Sequence, residues 1–381
     1  MRRVMKCSVA LVLSLVPPAA AMAQPQWQLV EDLRIGGEDE MTIFTDIRSI
    51  VAGPQGHIFV LDARAQEIRV FDRSGKFATL AARKGQGPGE IANANGLLLV
   101  NETVWVNDPS NGRRSVYSAV DGKYLRQITI PIRSYGYLWD AGIDGEGRFI
   151  DPIFVTTDRV DPATRRPVSE PRLRRVRNDG TIVDTVAAAA CVQRSKPAKV
   201  AFTGSAPGVM ARSFYGIPFL PRELAVFDGR GGYWCTPNDE YLLAHRSLAN
   251  GDTLHAVRKP YTRVPVTRAQ REKAITDART WLARLENIDA DYSLIPAAHP
   301  VFQRLDVDDK GQLWARRVTA GNVPDIDVYD ASGRQIATVT TTVPFQAFLP
   351  IHIRGDFVYG VIRDEDDVPY VVRARIVRGE R

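Results

Sequence analysis

The chain has 381 residues, 44% of them hydrophobic and 25% charged. That balance suits a folded protein with a large core and excludes a disordered or collagen-like chain. Its 50 Lys and Arg exceed its 44 Asp and Glu, but Arg2, Arg3 and Lys6 sit in the first 23 residues; beyond them 47 basic residues face 44 acidic ones, too small an excess for a polyanion-seeking surface.

The N-terminus reads as an export signal. Arg2, Arg3 and Lys6 form a positive head, Cys7 to Val16 an apolar core, and Pro17-Pro18 a break before the small-residue site Ala21-Met22-Ala23. The apolar run is too short to span a bilayer, and no later segment reaches that length. Residues 1–23 are therefore expected to be removed, leaving residues 24–381 as a single domain, exported to the periplasm or the extracellular space, with no integral membrane segment. Export and the absence of dense aromatic-and-basic interleaving argue against nucleic acid as a partner.

From Trp27 to Ile35 the pattern alternates, with Trp27, Leu29, Leu33 and Ile35 expected on one face of a strand. Residues Asp46 to Glu90 then form the clearest unit. Three short apolar runs bounded by turns lead to a fourth strand and a glycine-rich exit, which is the grammar of one four-stranded propeller blade. Comparable units follow, with the turn between third and fourth strands centred on Gly122, Gly180, Gly251 and Gly333. The last unit, from His352, supplies only three strands, so the strand at Trp27 is expected to be its fourth and to close the ring. The expectation is an all-β, six-bladed β-propeller; irregular third and fourth units leave five or seven blades as alternatives.

One segment breaks the strand pattern. Thr267 to Glu286 reads as a helical insert between blades four and five. Thr267 and Gln270 form a capping box, and Ala274, Ala278, Trp281, Leu282 and Leu285 an apolar stripe. It is either a lid or docking element over the ring's mouth or an insert packed on its side.

The run Gly85-Gln86-Gly87-Pro88-Gly89-Glu90, with Phe71 to Phe77, resembles the six-bladed propellers related to NHL repeats, above all secreted bacterial ones whose inter-blade loop reads GxGPGE. Gly36-Gly37-Glu38-Asp39-Glu40 repeats it in degraded form after the first strand. The resemblance covers about residues 27 to 381. It implies the fold and little about activity, since propellers host binding proteins, lyases, lactonases and scaffolds. The glycine run opens no helix and lacks a following Lys-Ser/Thr, so it reads as a crossing between blades and not as a phosphate cradle.

Chemistry-bearing motifs are sparse. The five histidines share no metal-ligand spacing, and no nucleophile elbow occurs. No metal site is assigned. Calcium is the one cofactor the resemblance allows, through lactonase-type propellers that hold it with Glu, Asn and Asp; Glu90, Asn107, Asp108 and Asp140 are of the right type but cannot be matched to that pattern. Asp306, Asp308 and Asp309 lack the EF-hand spacing and read as a solvated turn. The basic run Arg165, Arg166, Arg172, Arg174, Arg175 and Arg177 reads either as an anion patch or as a solvated hairpin. Two cysteines remain after export, Cys191 and Cys235, an even pair that permits one disulfide.

Topology supplies the best site. Turns between second and third strands and crossings between blades crowd one face of a propeller, and there lie Arg64, Lys84, Glu90, Asn107, Arg113, Arg133 and Tyr135. Such an arginine-bearing rim suits carboxylate or phosphate groups, while turn-holding roles account for some of the same residues. The expected function is binding of a protein, peptide or glycan at this face without catalysis. The alternative is an extracytoplasmic, metal-dependent, lactonase-like hydrolase or lyase with its site at the channel mouth.

Overall fold

A computed structural model describes residues 25–379 apart from 38, 130–141, 161–166, 188–190, 192–198, 209–211 and 322. The export-signal reading lies outside the described residues. Among those described, no helix is long and apolar enough to cross a membrane.

Six antiparallel meanders follow one another round a ring. Blade 1 runs Ile47–Ala52, Ile58–Asp62, Glu67–Phe71 and Phe77–Ala82, and blade 2 runs Leu97–Val100, Thr103–Asp108, Arg113–Ser118 and Tyr124–Thr129. Blades 3, 4 and 5 begin at Gly142–Ile143, Leu224–Phe227 and Phe302–Val307. Blade 6 takes His352–Arg354, Phe357–Arg363 and Pro369–Arg378 from the end of the chain and Gln26–Ile35 from its beginning. The core is accordingly a ring of layers between blades. Phe59, Leu61, Ile68 and Val70 meet blade 2 at Leu97, Val104 and Val106, and Trp234 and Leu243 of blade 4 meet Leu305, Leu313 and Tyr329 of blade 5.

The closure strand differs from expectation in one respect. A bulge between Glu31 and Leu33 shifts its register on Pro369–Arg378, and one extra residue reverses the phase of everything beyond it. Trp27 and Leu29 therefore pack toward blade 5, while Leu33 and Ile35 pack toward blade 1. The same strand pairs in parallel with Gln335–Thr341, the outer strand of blade 5, so blades 5 and 6 form one continuous sheet.

Tight turns repeat one device. An Asp carboxylate accepts backbone N–H groups two and four residues on: Asp72 from Ser74 (2.8 Å) and Lys76 (3.1 Å), Asp144 from Glu146 and Arg148, Asp330 from Ser332 and Arg334. The residue between, such as Gly75 at φ 87°, takes the left-handed conformation that glycine adopts without strain.

The insert is larger than the helix alone. The helix spans Arg268–Leu282 and carries the expected capping box, Gln270 N–H donating to Thr267 Oγ1 and Thr267 N–H to Gln270 Oε1. Two further strands, Ala201–Ser205 and Arg212–Gly216, arise between blades 3 and 4 and join Glu286–Asp289 in a separate three-stranded sheet. Phe202 and Tyr215 from those strands, with Ile217 just beyond them and Ile295, cover Ala278, Trp281 and Leu282 of the helix. That sheet supplies the cover a solitary amphipathic helix needs. Cys191 and Cys235 form a disulfide with Cα atoms 5.6 Å apart, tying the connection into blade 4 to that blade's second strand.

Candidate functional site

Where the turn between second and third strands is described, it lies on the same face as the crossings. An internal system of hydrogen bonds organises that face. Buried Asp62 accepts from Thr45 N–H (2.7 Å), Thr45 Oγ1 and Asp46 N–H, fixing the crossing into blade 1. Asp108 does the same in blade 2, accepting from Ala92 N–H (2.8 Å), Asn93 N–H and Asn111 Nδ2. Arginines then bind crossing carbonyls: Arg69 donates to Ile43 O (2.6 Å), Arg113 to Gly87 O (2.5 Å) and Glu90 O (2.9 Å), and Arg316 to Leu349 O (2.6 Å).

Of the rim residues expected to meet a ligand, Glu90, Asn107 and Arg113 are used in this framework. Glu90 folds back so that its carboxylate accepts from Gly87 N–H (2.9 Å) and pairs with Arg83 (3.1 Å). Those bonds hold its carboxyl below the usual carboxylate range. Arg113 is buried and committed to carbonyls of the glycine loop, and Asn107 is fully buried with its Oδ1 accepting from Arg114 Nε (2.7 Å). Arg64 and Lys84 are exposed on the face. Arg133 and Tyr135, with Asp140, lie outside the described residues. The glycine loop's carbonyls turn inward onto Arg113, Asn111 and Tyr117.

Charged clusters singled out by type are likewise largely paired. Arg172 meets Glu170 (2.8 Å), Arg174 meets Asp151, and Arg175 meets Asp184; Arg165 and Arg166 lie outside the described residues. Asp306 pairs with Arg316 (2.9 Å), Asp308 caps its own turn, and Asp309 accepts from Gly355 N–H (3.1 Å). These three carboxylates point to separate partners. No group of three or more His, Cys, Asp or Glu side chains among the described residues is placed to hold one metal ion.

What the face does offer is a cleft of about 660 Å³ where the insert meets blades 4, 5 and 6. One wall is the run Ile217-Pro218-Phe219-Leu220 leaving the insert sheet, with Gln270 and His299 beside it. The other is the turn Val318 to Gly321 of blade 5 and Ala347-Phe348 of the crossing into blade 6. Asn238 forms the floor, its amide exchanging hydrogen bonds with the backbone N–H (2.7 Å) and C=O (3.0 Å) of Phe302. Thr319 Oγ1 donates to Val323 O (2.7 Å), and Gln270 Oε1 is shared by Thr267 N–H and His299 Nε2 (3.2 Å). Most polar side chains of the cleft are thus already bonded within the protein.

Two polar groups there are not, and one aromatic ring faces outward: Phe348 stands 61% exposed. Gln303 Oε1 is shielded from solvent without a hydrogen-bond partner among the described residues. Arg222 lies exposed at the edge and makes no ion pair among the described residues. Phe219 has φ 60°, a conformation strained for a bulky side chain, and its ring meets His299 edge-on at 4.8 Å. Burial lowers the His299 pKa below its ordinary value, so the imidazole is neutral at physiological pH. Backbone strain of this kind gathers where a ligand site over-determines the chain.

The sequence reading did not reach Phe219, Arg222, His299 or Phe348. A signal was present: an apolar run bracketed by Pro218 and Pro221, in a segment joining strands, is unusual for an exposed connection. A second and larger groove, about 870 Å³, lies between Gly36-Gly37 and the turn at Gly75, walled by Tyr370 and Lys76. Its polar groups are mostly occupied, Arg34 by Glu31 and Tyr370 by Asp364.

Residues 39–140 match a family model described as a 6-bladed beta-propeller. The fold is a six-bladed β-propeller. Among solved structures, the chain is similar to a protein of Bacteroides fragilis described as exported, at 12% identity and TM-score 0.48, covering 92% of this chain and 99% of that one. It is similar to virginiamycin B lyase from Staphylococcus aureus at 11% identity and TM-score 0.45, covering 92% and 100%. It is also similar to the calcium-binding protein regucalcin from Agrobacterium tumefaciens at 11% identity and TM-score 0.40, covering 93% and 97%. No curated protein matches the chain.

Proposed function

We propose that this is an exported propeller that binds a peptide or protein segment, without transforming it, in the cleft between its insert and blades 4 to 6. The carrying observation is the make-up of that cleft. Its walls are apolar and aromatic, its polar side chains are mostly satisfied internally, and one guanidinium with no ion pair among the described residues, Arg222, stands at its edge. A glycan needs several free donors and acceptors to read its hydroxyls. An apolar segment carrying a carboxylate needs a hydrophobic slot and one planar cation. Export is supported by the signal-like first 23 residues and by the Cys191–Cys235 disulfide, a bond that persists in oxidising compartments.

The test is selection from a displayed peptide library, followed by calorimetry. Selected peptides should combine bulky apolar residues with an Asp, a Glu or a free C-terminus. Phe348→Ser and Arg222→Ala should each weaken binding by about tenfold, the loss of one good contact. Peptides that bind both variants as tightly as the parent would overturn the site. Metal-dependent turnover of a lactone or uronate would overturn the non-catalytic reading.

A further inference from the structure

Gly216 ends the strand Arg212–Gly216 and pairs with Ala201 in the insert sheet. A glycine in a strand weakens it and often marks a place where another group comes close. The φ of Gly216 lies outside the left-handed region, so the backbone does not demand glycine there. The space beside it does. A Cβ built on Gly216 would fall on Nη2 of Arg222, and the next nearest atoms are Cζ (3.2 Å) and Nη1 (3.7 Å) of the same guanidinium. The missing side chain makes room for Arg222.

The chain around Arg222 is fixed on both sides. Before it, Ile217 N–H donates to Val200 O (3.1 Å) and Leu220 N–H to Ile217 O (3.4 Å). Directly after it, Glu223 accepts from the backbone N–H of Cys191 (2.8 Å), whose sulfur is bonded to Cys235 of blade 4. The guanidinium itself makes no ion pair or hydrogen bond among the described residues. The stretches of this connection outside them, 188–190, 192–198 and 209–211, contain no Asp or Glu.

The cleft sharpens the point. None of the described residues lining it is acidic, and Arg222 is the one that carries a fixed charge, His299 being neutral. Ordering a long arginine side chain costs rotamer freedom, which a binding partner ordinarily offsets. Here the guanidinium is seated on a glycine without such a partner, at the edge of apolar walls that focus its field outward. That arrangement is made for a planar anion from outside the chain.

Resting on the peptide-binding reading of this cleft, we propose that Gly216 is a positioning residue: it seats the Arg222 guanidinium at the cleft edge, where the guanidinium pairs with a ligand carboxylate. The glycine serves recognition and not the fold. A Cβ at position 216 is accommodated by turning one flexible side chain away, so Gly216→Ala keeps the structure and loses the seat.

Three probes test this: N-acetylphenylalanine with a terminal carboxylate, its amide with none, and N-acetylaspartylphenylalanine amide with a side-chain carboxylate. Calorimetry compares the parent, Gly216→Ala, Arg222→Ala and the double variant. The parent should bind one acid probe about tenfold more tightly than the amide, and which acid it prefers separates terminal from side-chain recognition. Gly216→Ala should bring acid and amide to the same affinity, as Arg222→Ala does, with no further loss in the double variant. Its Tm should stay at or above the parent's, because alanine restricts the unfolded chain more than glycine. Acid preference retained in Gly216→Ala overturns the role of Gly216 and leaves the cleft standing. A parent without acid preference, or a lowered Tm in Gly216→Ala with equal loss of all three probes, overturns it too. If Phe348→Ser binds every probe as the parent does, the cleft reading fails instead; if the parent binds none, both fail.

Discussion

Trp27, in the first strand, packs on Trp314 of blade 5 with ring centroids 6.1 Å apart, about three-quarters of the chain away in sequence. Arg378, at the end of the last strand, lies over the same Trp27 ring at 5.1 Å. The ring is thus fastened where both termini meet blade 5. Trp27→Ala removes the half-buried indole from this junction and is expected to cost about 2–3 kcal/mol, below the full range for a completely buried aromatic. Val30→Ala in the same strand, where the side chain is 43% exposed, should change stability by less than about 0.5 kcal/mol. Urea unfolding of both variants measures the contrast; equal small losses would mean that Trp27 does not fasten the ring.

The closure was legible in the sequence because Trp27 to Ile35 alternates and the last unit lacked a fourth strand. Its bulge was not, since apolar residues at 27, 29, 33 and 35 fit one face equally well until the pairing partner is known. The repeated turns were readable from Asp and Gly spacing, which is local chemistry. The internal partners of the rim were not legible, for the opposite reason. Asn107 and Arg113 look available in sequence, and only the ring brings Arg114 and the glycine-loop carbonyls within their reach. The cleft was invisible because its walls come from segments as distant as Phe219 and Phe348, and because the strands at Ala201 and Arg212 were not recognised as half of the insert.

The disulfide closes a loop between Cys191 and Cys235, 44 residues apart. For a loop of that length the chain-entropy account gives about 3–4 kcal/mol of stabilisation. Dithiothreitol, or Cys235→Ser with Cys191→Ser, should lower Tm by several degrees, with no further effect of reductant on the double variant. A reductant-sensitive Tm in the double variant would place the effect elsewhere.

His352 supplies a pH dependence. Burial, reinforced by the charge of Arg354, pushes its pKa down to about 4, against opposing contributions from a backbone hydrogen bond with Ala52 and the charge of Asp309. In the unfolded chain the same imidazole titrates near 6.5. Between these values the unfolded state binds the proton and the folded state does not, so stability falls as pH drops from about 6.5 toward 4. His299 is shifted in the same direction and adds to the slope. The His352 contribution reaches about 3 kcal/mol at most. His352→Gln, which cannot titrate, should flatten the decline measured by urea unfolding between pH 7 and pH 4.5; an unchanged slope would remove His352 as its source.

Phe219 offers a test that separates strain from packing. Its φ of 60° is disfavoured for any residue with a Cβ and costless for glycine. Phe219→Ala loses the ring's contact with His299 and the insert core while keeping the strained backbone. Phe219→Gly loses the same contacts but relieves the strain. Glycine is ordinarily less stable than alanine because of its unfolded-state entropy; here the order should reverse, with the glycine variant about 1 kcal/mol more stable than the alanine variant in paired urea titrations. If alanine proves the more stable, the backbone at Phe219 is not strained. If the order reverses and both variants lose peptide affinity equally, the ring itself is the binding element and the strain is what holds it in the cleft.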